Sequence, residues 1–113
     1  MHEFSIVQAL LDRVAAEARA HGAANVARVR VALGRESGVD PGLLATAFDL
    51  ARAGTICDTA ELDLTVIEAE WACRGCGRPV GPGERLRCRA CGEPAHLVRG
   101  EEIVLERLEM EVA

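Results

Sequence analysis

Four of the five cysteines fall in two copies of one short motif. Cys73-Arg-Gly-Cys76-Gly and Cys88-Arg-Ala-Cys91-Gly each hold two thiols with two residues between them and a glycine directly behind. This spacing lets one tight turn direct both sulfurs at the same metal ion, and the glycine can adopt the positive φ that such a turn needs. Two such turns, joined by a hairpin, predict a zinc site with Cys73, Cys76, Cys88 and Cys91 as ligands.

Two other kinds of cysteine site compete with zinc. A redox-active CxxC is one, but two pairs that share a glycine pattern fit metal binding better. A rubredoxin-like iron site uses the same ligands, but the spacing here is short and aromatic residues are lacking around it. Because four cysteines leave no open coordination position, we expect the zinc to be structural and not catalytic.

Residues 71–99 are predicted to form a separate zinc-binding module. The segment is rich in Gly and Pro and poor in aliphatic residues, so it needs metal binding, on the order of 10 kcal/mol, to fold. Residues 73–99 carry six Arg and two Glu, a charge of +4, whereas the rest carries seven basic and sixteen acidic residues, a charge of −9. This change in the sign of the charge indicates that the chain folds as two structural units.

The amino terminus offers a second, weaker metal motif. In Met1-His2-Glu3, the terminal amine, the amide nitrogen of residue 2 and the imidazole can chelate one ion together. A set of nitrogen ligands favours square-planar Ni2+ or Cu2+. Taken alone, however, these residues are more typical of a polar helix start, where Glu3 is favoured by the helix dipole.

The remaining chain predicts an α+β fold, with two helices packed on a three-stranded sheet. One amphipathic helix precedes His21-Gly22, and a second begins at Asp40-Pro41, with Asp40 as its cap. Three segments read as strands: Val26–Leu33, with Ala27, Val29, Val31 and Leu33 on one face; Glu61–Trp71; and Glu101–Val112, with a bulge near Glu106 and Arg107. A helix is the alternative for the last segment, since Glu, Leu and Arg favour helices.

Composition restricts the function. The chain of 113 residues has no apolar run near the roughly 20 residues of a membrane helix, and its first residues do not resemble a signal peptide, so we expect a cytoplasmic protein. The net charge of −5 disfavours general binding to nucleic acid, although the Arg-rich module leaves a nucleic-acid-binding zinc ribbon as the alternative function. No set of residues typical of an active site is present, and we expect no catalysis.

The order of these features resembles the hydrogenase nickel-incorporation protein family (HypA/HybF). The resemblance covers the whole chain and rests on the initial Met-His-Glu, Val29-Arg-Val-Ala-Leu-Gly34, Asp40-Pro41, Gly54-Thr55 and the two CxxC pairs. It implies a nickel-binding domain of residues 1–70 plus 100–113, interrupted by the zinc module of residues 71–99. It also implies a metallochaperone that binds Ni2+ weakly at its N-terminus and holds zinc with its four cysteines.

The resemblance further implies ligands and partners. The nickel ligands correspond to His2, with Met1 and Glu3 contributing amine or backbone nitrogens, and Asp40 stands where an acidic residue can also serve. The expected partners are a GTPase maturation factor and the [NiFe]-hydrogenase large subunit, and some members assist urease maturation. The oligomeric state is left open between monomer and homodimer. One departure is that the only histidine near the CxxC pairs is His96, five residues after Cys91.

Overall fold

The computed structural model describes residues 2–81, 84 and 86–112, without the side chain of His2. Two helices and six strands follow one another as α1 (His2–Ala20), β1 (Ala23–Gly34), α2 (Pro41–Ala51), β2 (Glu61–Ile67), β3 (Glu70–Cys73), β4 (Pro79–Val80), β5 (Ala95–Arg99) and β6 (Ile103–Val112). They form two three-stranded sheets, in the orders β2-β1-β6 and β4-β3-β5. No helix within the described residues is long and apolar enough to cross a membrane.

The first sheet carries both helices and most of the hydrophobic core. β1 lies in the centre, parallel to β2 and antiparallel to β6. Burying a large aliphatic or aromatic side chain contributes about 1.5–3 kcal/mol, so this cluster is the main source of stability in the fold. Its largest fully buried members are Phe48, Leu33, Leu44, Val7, Val14, Val26, Val29 and Val31. The predicted fold of two helices packed on a three-stranded sheet is confirmed.

The face assigned to Ala27 was wrong. Val26 and Val29 are both fully buried, although they stand three residues apart on one strand, and Ala27 is exposed. The register between β1 and β6 shifts between Val26 and Arg28, so a bulge changes the phase of the alternation. Buried and more exposed side chains alternate strictly only from Arg28 to Val31, after this bulge.

The bulge expected in the last strand is confirmed. Arg30 pairs with Arg107 while the next residue, Val31, pairs with Leu105, which leaves Glu106 as the extra residue. Leu105 and Leu108 therefore both pack against the core despite their odd spacing. The segment is a strand and not the competing helix.

The predicted single strand Glu61–Trp71 is interrupted. β2 ends at Ile67, opposite the last residue of β1, Gly34, and β3 begins at Glu70 in the other sheet. A second connection passes this point, because an added Cβ on Gly34 would lie 2.2 Å from the carbonyl oxygen of Gly100. The chain leaves the first sheet here because its pairing partner has ended, which apolar alternation does not reveal.

Candidate metal centre

The first cysteine turn is organised around the sulfur of Cys73. The backbone N–H groups of Gly75 and Cys76 donate to Cys73 Sγ, at 3.2 and 3.4 Å. Gly77 closes the turn with a φ of 76° and an N–H bond of 3.0 Å to the Cys73 carbonyl oxygen. N–H groups directed at a sulfur stabilise its thiolate form, which is the form that binds metal.

The second turn repeats this geometry around Cys88. Gly92 has the same φ of 76°, and its N–H donates to the carbonyl oxygen of Cys88 at 2.9 Å. The Cys88 N–H in turn donates to the carbonyl oxygen of Glu93 at 3.0 Å. The glycine after each pair therefore has the conformational role that the sequence predicted for it.

The second sheet brings the two turns together. Cys73 is the last residue of β3 and pairs with Ala95, the first residue of β5. The next residue after Cys73, Arg74, donates its N–H to the carbonyl oxygen of Pro94 at 3.2 Å. Because the second turn immediately precedes β5, antiparallel pairing places it beside the first turn.

The four sulfurs of Cys73, Cys76, Cys88 and Cys91 all lie within 4.8 Å of one another. Cys76 Sγ and Cys88 Sγ are 3.8 Å apart, and Cys73 Sγ and Cys91 Sγ are 3.1 Å apart. A tetrahedral Zn2+ with bonds of about 2.3 Å needs sulfurs about 3.8 Å apart. Of the six sulfur pairs, Cys76–Cys88 already has that separation, Cys73–Cys91 needs to open by less than 1 Å, and none exceeds 4.8 Å, so the donor set fits zinc.

The thiols of this cluster differ in acidity. The guanidinium of Arg78 and the N–H of Cys91 lower the pKa of Cys88 to about 6. The N–H of Cys76 and the neighbouring Cys91 thiol lower the pKa of Cys73. The same contact between the two thiols raises the pKa of Cys91 to about 12. Zinc binds thiolates, so a bound zinc ion would displace the proton shared in the contact between Cys73 and Cys91.

The hydrophobic cluster beneath the cysteines is small. Cys73, Val80 and Cys88 are buried, with Trp71 and Ala95 packed against them. The expectation that aromatic residues are lacking around the cysteines was therefore wrong, since Trp71 packs beside them. The other two ligand candidates are exposed to solvent. A cluster of this size cannot offset the entropy of ordering nearly thirty residues, which agrees with a module that depends on metal for its stability.

The predicted nickel ligands are not assembled within the described residues. Met1 and the side chain of His2 lie outside them. Glu3 is half-buried in the first turn of α1, and Asp40 Oδ1 accepts the N–H of Leu43 at 3.0 Å as the cap of α2. Only the four cysteines form a group of three or more candidate metal ligands in the described part of the chain.

Three further side chains that bear on the site lie outside the four-cysteine cluster. His96 of β5 pairs with Ala72 of β3. Its side chain is exposed and lies outside the cysteine cluster. Cys57 is fully buried in the first core, where burial raises the pKa of its thiol. The sequence did not reveal that Glu84, between the two CxxC pairs, contacts this region. The feature that could have indicated it is an acidic residue within an Arg-rich segment.

Comparison with known proteins shows the family of this chain. Residues 1–110 match the family described as "HypA: Hydrogenase/urease nickel incorporation, metallochaperone". The chain belongs to this family. Hydrogenase maturation factors HypA from Aquifex aeolicus and Wolinella succinogenes are 38% and 40% identical to it, over 99% and 98% of this chain and 99% and 96% of their own.

Solved structures of the HypA family share this fold. The solution structure of the Ni metallochaperone HypA from Helicobacter pylori has a TM-score of 0.76 and 27% identity, with 98% of each chain covered. A second, titled the solution structure of HypA protein, has a TM-score of 0.79 and 29% identity, covering 100% of this chain and 98% of its own. The family resemblance found in the sequence is confirmed, and with it the assignment to hydrogenase maturation as a nickel metallochaperone.

Proposed function

We propose that this protein binds Ni2+ at its N-terminus and delivers it to [NiFe]-hydrogenase during maturation, while a structural Zn2+ shapes its second sheet. The observation that carries the proposal is the family match over residues 1–110. We expect no catalysis, because the protein hands over its ion without changing it chemically.

The chemistry of the first residues supports nickel at the N-terminus. A terminal amine, the amide nitrogen of residue 2 and the His2 imidazole form a set of nitrogen donors that suits square-planar Ni2+. Met1 and Glu3 contribute amine or backbone nitrogens, and Asp40 is the remaining candidate. Since α1 begins at His2, a ligand set at the chain start can open without disrupting the hydrophobic core.

The geometry of the sulfurs supports a structural zinc ion on Cys73, Cys76, Cys88 and Cys91. Four thiolates fill a tetrahedral shell, so no position remains for a substrate. We further propose that the chain divides into a nickel-binding unit of residues 1–70 plus 100–113 and a zinc-binding unit of residues 71–99. The two separate sheets and hydrophobic clusters support this division.

Partners and location follow from the same proposal. We expect a GTPase maturation factor to act with this protein and the [NiFe]-hydrogenase large subunit to receive the ion, in the cytoplasm. Urease maturation factors are further candidate partners, since the family description includes urease. A homodimer is consistent with the exposed edge of β6, at one side of the first sheet.

Two arginines of the Arg-rich module, on which the alternative function of a nucleic-acid-binding zinc ribbon rests, are engaged within the module. Arg78 is paired with Glu84, and Arg87 donates to the carbonyl oxygen of Gly92 at 2.6 Å. Guanidinium groups that are engaged within the module are less available to phosphates.

Equilibrium titration of the untagged protein with Ni2+ tests the nickel site. The His2→Ala variant should lose specific nickel binding but keep its zinc and its fold. The chain has three histidines, so His21→Ala and His96→Ala are matched controls that should bind nickel as the wild type does. Residues added before Met1 should also abolish binding, because they remove the terminal amine. An unchanged nickel affinity of His2→Ala would refute the assignment.

A further inference from the structure

Arg78 contacts both cysteine turns. Its carbonyl oxygen accepts the N–H of Cys73 at 2.8 Å. Its guanidinium forms an ion pair with Glu84, whose carboxylate also accepts the N–H of Arg89, the residue directly after Cys88. One residue therefore joins the turn that ends β3 to the turn that precedes β5.

Glu84 holds the Arg78 side chain in place. Its carboxylate is only 12% exposed and forms an ion pair with the Arg78 guanidinium. The same carboxylate accepts the N–H of Gly81 and the N–H of Arg89, both at 3.2 Å. Because Arg89 follows Cys88 directly, Glu84 ties the guanidinium to the backbone of the second turn.

One atom of this arrangement lacks a partner. Arg78 Nε is buried and has no hydrogen-bond acceptor among the described residues. Buried donors are nearly always satisfied, and one that is not calls for an explanation. An electron-rich thiolate beside the guanidinium would supply a matching negative charge.

A zinc ion on four thiolates provides that charge. Zn2+ with four thiolates carries a net charge of about −2, which favours a fixed cation nearby. Arg78 is held at the second cysteine turn by Glu84, which bonds both its guanidinium and the N–H of Arg89. Arg74, by contrast, makes no side-chain hydrogen bond or ion pair with a described residue and is exposed.

We propose that Arg78, anchored by Glu84, is a positioning residue of the metal centre, whose positive charge offsets the negative charge of the zinc–thiolate complex. This inference rests on the proposed zinc site. It adds that zinc retention depends on one particular arginine of the module and not on the module's overall positive charge.

Competition of the purified holoprotein with a chromogenic zinc chelator tests the proposal. Loss of a residue that supports a metal ligand typically weakens metal binding by about 10–100-fold, so Arg78→Met should weaken zinc binding by at least about tenfold. Arg78→Lys, which keeps the charge, should recover part of the loss. Arg74→Met makes the same change of charge at an exposed side chain that is not held by Glu84, and this variant should bind zinc as the wild type does.

Cobalt spectra separate a charge effect from a folding defect. In the Co2+-substituted protein, removal of a cation beside a thiolate should shift the sulfur-to-cobalt charge-transfer band to lower energy. We expect that shift in Arg78→Met, a smaller one in Arg78→Lys and none in Arg74→Met. Equal zinc affinities and band positions for Arg78→Met and Arg74→Met would overturn the proposal. A wild-type protein isolated without zinc would overturn the zinc site itself, and this inference with it.

Discussion

At the scale of single residues, Asp40 has two candidate roles that a measurement can separate. Its carboxylate caps α2 by accepting the N–H of Leu43, with the extended backbone typical of that position. Its proposed part in nickel binding rests on the family resemblance alone. The cap is a property of the folded chain without nickel, so stability and metal affinity report on different roles.

We predict that Asp40→Ala lowers the free energy of unfolding by about 1 kcal/mol, the usual contribution of a helix cap. Urea denaturation of the zinc-loaded protein measures it. Asp49→Ala, on the exposed side of the same helix, removes a carboxylate that lies 3.7 Å from the Arg52 guanidinium and should cost much less. Equal losses for the two variants would contradict the capping role. A nickel titration of Asp40→Ala then tests the second role separately.

At the scale of elements, the bulge in β6 determines which side chains reach the core. Glu106 is the extra residue, and beyond it Leu108 and Met110 pack against the first hydrophobic cluster. Side chains alternate between the two faces of a strand, so removal of one residue turns all the following ones over.

Deletion of Glu106 should therefore be far more destabilising than its substitution. The deletion turns two apolar side chains, each contributing up to about 1.5–3 kcal/mol when buried, away from the core. Glu106→Ala keeps the register and should stay within about 0.5 kcal/mol of wild type. Urea unfolding curves of the two variants provide the comparison. A deletion as mild as the substitution would show that β6 shifts its register freely.

At the scale of the whole molecule, the two sheets should differ in their dependence on zinc. Both helices and the large hydrophobic cluster belong with the first sheet, whereas the second sheet has a cluster centred on Cys73, Val80 and Cys88. The chain has one tryptophan, Trp71, and it lies in β3 beside that second cluster. Its emission therefore reports on the second sheet alone.

We predict that removal of zinc by a strong chelator shifts the Trp71 emission to longer wavelength and leaves most of the helical circular dichroism intact. Metal binding supplies the folding free energy of the second sheet, so this part should unfold without the ion. Cys73→Ala should behave like the chelated protein, whereas Cys57→Ala, which lies outside the cluster, should retain zinc. Simultaneous loss of both signals would contradict the division into two units.

The sequence by itself determined the two helices, the three strands of the first sheet apart from the end of β2, and the four-cysteine motif. Local signals carried these predictions: helical periodicity before His21, the Asp40-Pro41 start, and the CxxCG repeats, whose glycines adopt the expected positive φ at Gly77 and Gly92. Even the bulge near Glu106 was visible, since two apolar phases in one strand require an extra residue. Each of these features depends on residues a few positions apart.

Only the tertiary structure decided which strand pairs with which and where pairing ends. Ala27 lies on the unexpected face because of a bulge opposite β6, and the segment after β2 changes sheets where Gly34 meets Gly100. The ion pair between Arg78 and Glu84 likewise forms only because the chain between the two cysteine turns folds back on itself. These features arise from contacts between distant segments, and a pattern of neighbouring residues contains no information about them.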